Sequence, residues 1–520
     1  VLTSNRCFVA REFEESLETG TQMTGVNPGA PVGDAIKWHS IIWEATRRHI
    51  RRLQMRIAKA VKERKPGKVK ALQWLLTHSF HAKLLAVKRV TTNKGKKTPG
   101  VDGILWKGNK AKIQAALNLQ RHGYKAQPLR RIYIPKKNGK MRPLSIPTIY
   151  DRAMQALYKL ALSPVAETTA DKNSYGFREG RSCADAIAAA FNTLSKPNSA
   201  THILEADITG CYDNISKSWL LENIPMDKTI LKKWLDAGYV ESGITFPSRK
   251  GTPQGGIISP TLANMTLDGL EQLVKDLTPR RTRVNFIRYA DDFIVTAKLK
   301  KLLEEVVKPG IERFLRERGL ELSPEKTIIT HTKKDGFTFL GQTFLKTGNK
   351  LRITPAKEAI ETLIKKVGII IRNHQNKPVE ALVKAINPVL RGWANYHQHV
   401  VSSKAFRRVD TYVFEQLWRM LRRRHSSKSK TWLFRKYWTA TGKDHVFSFF
   451  SKYKKKSRLL QIIRVSSIKL SKHLRIRVNA NPYMPEYSYY FWCRRNIKGS
   501  KLMGEFSNQG NIYSEMKALG

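Results

Sequence analysis

Phe286-Ile287-Arg288-Tyr289-Ala290-Asp291-Asp292-Phe293-Ile294-Val295 is the stretch on which the fold turns. Apolar, β-favouring residues flank two adjacent carboxylates, a pattern that specifies a tight antiparallel hairpin with the acids at its tip. Neighbouring side chains in a flat strand leave opposite faces, so both acids reach one point only where the turn re-aims one of them. Asp291 is therefore the firmer ligand. A second acidic strand lies upstream: in His202-Ile203-Leu204-Glu205-Ala206-Asp207-Ile208, alternation sets Leu204, Ala206 and Ile208 on one face and Glu205 and Asp207 on the other. Hard divalent cations take carboxylate oxygens, and a pair of them about 3.5–4 Å apart serves phosphoryl transfer by activating the attacking oxygen and stabilising the leaving one. An isolated Asp-Asp pair also suits an ordinary solvated turn. The rest of the chain decides between the two.

From Tyr133 to Thr330, short β-like runs at Arg131 to Ile134, His202 to Ile208 and Phe286 to Val295 mix with helical stretches at Ala153 to Leu162 and Ala184 to Leu194. Without a steady βαβ rhythm this predicts an α+β unit on an antiparallel sheet. Upstream, Ile36, Ile42, Ala45, His49, Leu53, Ile57 and Ala60 recur every three to four positions against basic residues, the pattern of a basic amphipathic helix. Pro66-Gly67 ends it, and one further helix is expected from Val69 to about Val90. Beyond Pro355 the spacing reads as helix only, with helices near Ala359 to Ile371, Val379 to Val389 and along Phe406, Val409, Val413, Leu417 and Leu421.

The 520 residues imply two to four units in series, and 95 Lys and Arg against 41 Asp and Glu give a formal net charge of +54. A polyanion is the expected partner of such an excess, and nucleic acid fits it. There is no run of about 18 apolar residues and no short basic-then-apolar leader, so no membrane association is expected. The chain reads as cytoplasmic, in a bacterial cytoplasm or nucleoid or an organelle equivalent. Cys7, Cys183, Cys211 and Cys493 show neither metal-knuckle spacing nor a disulfide framework, and His397 and His399 lack partner ligands, so reduced thiols and no zinc are expected. Residues 1–35 read as an N-terminal extension with little expected order and no assigned chemistry.

Order and company settle the reading of the acids. Tyr289-Ala290-Asp291-Asp292 resembles the signature hairpin of reverse transcriptases, and Asp207 with Tyr212 resembles their preceding catalytic strand. Gly251-Thr252-Pro253-Gln254-Gly255-Gly256-Ile257-Ile258-Ser259-Pro260 is similar to the loop of those enzymes that contacts primer-template and nucleotide. Pro99-Gly100-Val101-Asp102-Gly103 and the run from Arg130 to Asp151 resemble finger motifs, while Leu322-Ser323-Pro324-Glu325-Lys326-Thr327 and Phe339-Leu340-Gly341 resemble the last two palm motifs. The N-terminal helical module and Arg391-Gly392-Trp393-Ala394-Asn395-Tyr396 narrow the resemblance to group II intron-encoded proteins, over roughly residues 36 to 480.

That resemblance implies an α+β right-hand polymerase. A helical N-terminal extension and the start of the fingers would occupy 36–105, fingers and palm with an antiparallel palm sheet 106–345, an α-helical thumb or maturase domain 346–425, and a basic DNA-binding region 426–480. It implies an RNA-directed DNA polymerase and maturase that binds group II intron RNA, assists splicing and reverse splicing into target DNA, and copies an RNA template from a DNA primer. Deoxynucleoside triphosphates would be its substrates and two Mg2+ ions its cofactors. Asp207, Asp291, Asp292 and the backbone carbonyl of Ile208 would hold the metal, and Lys326 would protonate pyrophosphate. Tyr212 would lie under the sugar and disfavour a ribose 2′-hydroxyl. Arg130, Lys136 and Arg142 would grip the triphosphate, whose oxygens suit guanidinium and ammonium groups, with Gln254 and Gly255 beside the nucleotide. Trp393 and Tyr396, at helical spacing, are expected in the thumb core.

From Arg422 to Arg477, positive charge is interleaved with Trp432, Phe434, Tyr437, Trp438 and Tyr453, which suits backbone neutralisation and base stacking. Asn481-Pro482-Tyr483-Met484-Pro485-Glu486-Tyr487 looks like the entrance to the HNH-type endonuclease of many relatives, but only Cys493 and no histidine follow. Residues 481–520 are accordingly read as a truncated or degenerate remnant, without second-strand cleavage. Two other readings compete: a splicing-only RNA-binding maturase, and a non-intron bacterial reverse transcriptase. Three acids that repel one another without metal argue against the first, and the N-terminal module and thumb against the second.

Overall fold

Two four-stranded sheets carry the centre of the chain. In one, β1 (Leu129–Pro135) pairs antiparallel with β2 (Met141–Ile146) and in parallel with β4 (Tyr239–Glu241), which continues to β5 (Ile244–Phe246). In the other, β3 (His202–Ala206) lies between β7 (Asp292–Ala297) and β8 (Ile328–His331), with β6 (Asn285–Tyr289) outermost and every pairing antiparallel. The computed structural model describes residues 37–496 apart from 136–138, 140, 249, 253–254, 280–281, 442–443 and 454–455. Lys136, Gln254, the extension over 1–35 and the stretch from 497 onward lie outside the described residues.

Alternation along β3 explains why the second sheet is covered on both faces. Leu204 and Ala206 turn to one core with Phe293 and Val295, while Ile203 turns to another with Ile287, Ile294, Phe337 and Phe344. The first core also takes the long helix Ile149–Thr169, whose Thr148 caps it by accepting from the Asp151 amide. Against that helix pack Trp43–Lys62 and Phe80–Thr92. The single helix expected from Val69 to Val90 is instead two, Pro66–His78 and Phe80–Thr92, parted at an extended Ser79. The break lies in the backbone of Ser79, whose side chain makes no capping hydrogen bond, and helical periodicity does not register it.

Beyond β8, a three-stranded sheet of β9 (Phe337–Phe339), β10 (Gln342–Thr347) and β11 (Lys350–Pro355) leads into the helices Lys357–Arg372, Val379–His397 and Ser403–Arg424. Helix does not continue throughout. After Lys430–Tyr437 the chain forms an antiparallel sheet of β12 (Trp438–Thr441), β13 (Asp444–Tyr453) and β14 (Lys456–Gln461). Tyr437, Trp438 and Phe447 are buried in the core of the preceding helices, and Trp432 and Phe434 pack against it. Tyr437 and Trp438 thus fill the fold, Trp432 and Phe434 are half-buried, and the Tyr453 side chain lies outside the described residues.

The chain then returns to the centre. Asn481 Nδ2 donates to Thr168 Oγ1 at 3.0 Å, the Tyr483 hydroxyl to Glu179 at 2.8 Å, and Arg51 to the Pro482 carbonyl. The helix Ser488–Asn496 buries Tyr490, Phe491 and Cys493. No helix among the described residues is long and apolar enough to cross a membrane.

Candidate active site

The last pair of the β6–β7 hairpin is Tyr289 with Asp292, and Ala290 adopts φ +59°, a left-handed conformation that a two-residue turn demands. Asp291 is thereby turned in beside Asp292. β3 delivers the third acid: its last ladder pair is Ala206 with Phe293, so Asp207 emerges next to Asp292. The Asp207 carbonyl accepts from the Ser323 amide at 2.8 Å and the Thr209 amide donates to Glu321 at 3.0 Å. Alternation then leaves the Ile208 carbonyl on the opposite edge, toward the hairpin.

Electrostatics registers the convergence. Burial, then Asp207 and Asp291, push the Asp292 carboxyl up to about 7. Asp291 is raised by burial and Asp207, with Arg142 and Lys326 pulling the other way. The Lys326 ammonium, 64% exposed along its side chain, is paired with Asp207, and that hydrogen bond raises its pKa. Among the described residues no three His, Cys, Asp or Glu side chains already stand in ligating geometry. The donor set nevertheless suits a hard cation, because three half-buried carboxylates outnumber the two cations, Lys326 and Arg142, that face them.

Across from the acids, Arg142 is exposed on β2 and its charge reaches both Asp291 and Tyr212. Arg130 shares that face of the β1–β2 hairpin but lies four residues further along, about 13 Å by strand rise, and its charge is felt by the buried Arg152. Tyr212 is half-buried, and its carbonyl accepts from the Thr252 amide at 2.6 Å, stitching the 251–252 loop beneath it. Gly255 has φ +125°, and a Cβ there would stand 2.7 Å from the Ser145 carbonyl oxygen. Its close approach is to β2 itself, so it joins the loop to the strand that carries Arg142.

Two supports escaped the sequence reading. Arg288, fully buried, bonds to Asp268, lies 3.8 Å from Asp171, and donates to Asn264 at 3.2 Å and to the Ala290 carbonyl at 3.4 Å. A charged residue in an otherwise apolar strand was the available signal; its partners are too distant in sequence to announce themselves. Asp268 is held up to about 6 by burial, against the pull of Arg288. The second support is Gly176, where a Cβ would come 2.4 Å from the Ala290 nitrogen. Gly176→Ala is therefore expected to displace the acidic turn. We expect a loss of about 1–3 kcal/mol in stability and roughly 100-fold in nucleotide addition, read by thermal unfolding and single-nucleotide extension. A wild-type rate in this variant would show that the turn is not held here.

Comparison with known proteins adds three matches along the chain. A family model described as reverse transcriptase (RNA-dependent DNA polymerase) matches residues 134–344, one for the N-terminal domain of reverse transcriptase matches 38–119, and one for the group II intron maturase-specific domain matches 360–438. Protein YkfC of Escherichia coli (strain K12) is 30% identical over 310 residues, which cover 51% of this chain and 80% of that protein. Group II intron-encoded protein LtrA of Lactococcus lactis subsp. cremoris is 28% identical over 415 residues, 60% of this chain and 68% of that one. Among solved structures, a telomerase from Candida albicans superposes with a TM-score of 0.35 at 12% identity, covering 60% of this chain and 64% of its own.

Proposed function

The chain belongs to the group II intron reverse transcriptases and maturases and is an RNA-directed DNA polymerase, and from that premise we propose that its chemistry is two-metal nucleotidyl transfer at Asp207, Asp291 and Asp292. The observation that carries this is the convergence of three carboxylates from the β6–β7 hairpin and the end of β3, where burial first and then Asp207 and Asp291 push Asp292 up to about 7. Their oxygens, with the Ile208 carbonyl, would hold two Mg2+ ions. Bound there, the metal lowers the pKa of the primer hydroxyl and neutralises the triphosphate.

The protein's own groups do the rest. The 3′-hydroxyl of a DNA primer gives up its proton to solvent as its oxygen attacks the α-phosphorus of a deoxynucleoside triphosphate, the bond from that phosphorus to the bridging oxygen breaks, and pyrophosphate leaves with that oxygen. Arg142 offers a guanidinium fork to the triphosphate, with Arg130 and Lys136 as further grips and Gln254 and Gly255 beside the nucleotide. Lys326, already within reach of the acids, gives a proton to the leaving pyrophosphate. Tyr212 lies under the sugar. Intron RNA would be bound across the basic surface of the chain, and reverse splicing would bring target DNA to it, in a bacterial cytoplasm or an organelle equivalent.

The test is single-nucleotide extension of a DNA primer on an RNA template with Mg2+, comparing deoxy- and ribonucleotides. Wild type is expected to prefer deoxynucleotides, and Tyr212→Val to relax that preference by roughly 10- to 200-fold while keeping deoxynucleotide addition. A wild type that binds RNA but extends nothing favours the splicing-only reading, and unchanged discrimination in Tyr212→Val removes the gate.

A further inference from the structure

The helix Val379–His397 does not end in solvent. Trp393 packs within the thumb against Phe406, as helical spacing predicts, with ring centroids 5.7 Å apart. Tyr396 departs from that expectation: it faces the central unit, and its hydroxyl donates to the Leu340 carbonyl at 2.7 Å. Leu340 and Gly341 form the turn between β9 and β10 at φ +50° and +70°, and a leucine resists that left-handed conformation. Such a turn needs holding from outside.

It is held from two sides. On the sheet side, the Thr338 amide donates to Glu205 at 3.4 Å, and Glu205 stands two residues before Asp207 on β3. On the thumb side stands Tyr396. Tyr289, which closes the acidic hairpin, packs against the same core as Leu340, and the Tyr396 hydroxyl lies within electrostatic reach of Tyr289, the Cys183 thiol and Asp292. The next residue fixes the rotation of the helix: His397 Nδ1 pairs with Gln342 Nε2 at 2.8 Å, both side chains being buried.

We infer that Tyr396 is a positioning residue of the polymerase site, whose hydroxyl fixes the Leu340–Gly341 turn against the acidic hairpin so that the thumb sets where the primer end lies. A strand whose 3′-hydroxyl reaches Asp207 and Asp291, and whose duplex leaves toward the thumb, has to cross this joint. The inference rests on the polymerase reading.

The experiment is Tyr396→Phe, which removes one hydroxyl and no packing. Steady-state extension on an RNA template would be read as KM for primer-template against kcat, with the thermal midpoint and RNA affinity measured alongside. Expected is a KM for primer-template raised about two- to tenfold, the equivalent of one hydrogen bond, with shorter products per binding event and kcat, midpoint and RNA affinity near wild type. A wild-type KM and product length in Tyr396→Phe overturns the inference, as does a fall in midpoint that accounts for the whole effect. A wild type that extends no primer overturns the polymerase reading and this inference together; normal wild-type extension beside an unchanged variant overturns the inference alone.

Discussion

Asp291→Ala is expected to abolish primer extension, by about three orders of magnitude or more, while RNA binding and folding persist. Metal held by these oxygens would supply several kcal/mol of transition-state charge stabilisation, and 4 kcal/mol is already nearly a thousandfold in rate. The same cluster makes a second prediction about stability that depends on charge alone. Asp292 titrates near 7 in the folded protein against an ordinary 3.8, so between those values the folded state binds more protons than the unfolded one. Stability in metal-free buffer should therefore fall as pH rises from about 4 to about 7 and show no further loss from this group above that. Asp207→Asn and Asp291→Asn should flatten the slope by removing a repelling neighbour, and Mg2+ should raise the wild-type midpoint more at pH 8 than at pH 5. An Asp291→Ala enzyme that still extends primers places the chemistry elsewhere. One that loses RNA binding as well has lost its fold rather than its metal.

Why the acids were legible and their surroundings were not follows from the range over which each signal acts. The period-two alternation of 202–208 and the apolar flanks of 286–295 are local, so strand, hairpin and outward-facing acids can be read from adjacent letters. What re-aims Asp291 is local too, but it is a backbone conformation at Ala290, a residue type that gives no hint of positive φ. Arg288 meets Asp268 and Asp171 only after the chain has folded, and Gly176 is required because Ala290 passes over it. The β12–β14 sheet was hidden differently: in so basic a stretch the aromatics read as a nucleic-acid surface, whereas Tyr437 and Trp438, with Phe447, close the core of the preceding helices.

The second large effect is expected far from the acids, at Asp185. Its side chain is fully buried at the start of the helix Cys183–Leu194, where it completes a capping box with Ser182. The same carboxylate then receives the returning C-terminal segment: the Ile476 amide at 2.7 Å, His473 Nε2 at 2.9 Å and Arg494 Nη2 at 3.0 Å. Asp185 thus holds both ends of 473–494 to the central unit, and Arg475 extends the grip to Asn173, whose carbonyl accepts from the Arg288 amide. Asp185→Ala leaves a partly buried guanidinium without its carboxylate and removes a cap, a loss of about 3–5 kcal/mol. Burial alone would raise this carboxyl, but His473 and Arg494 overrule it and hold it below the ordinary value of 3.8. Its contribution is thus complete above that value and vanishes as pH falls through the lower folded one. Asp185→Asn, which keeps the shape and loses the charge, should unfold at a higher pH in an acid titration than wild type and expose sites after Ser471 to protease. Because the segment is tied to Asn173, extension should weaken in step with unfolding and recover at lower temperature. A midpoint and acid limit equal to wild type would mean that the segment rests on the fold without holding it.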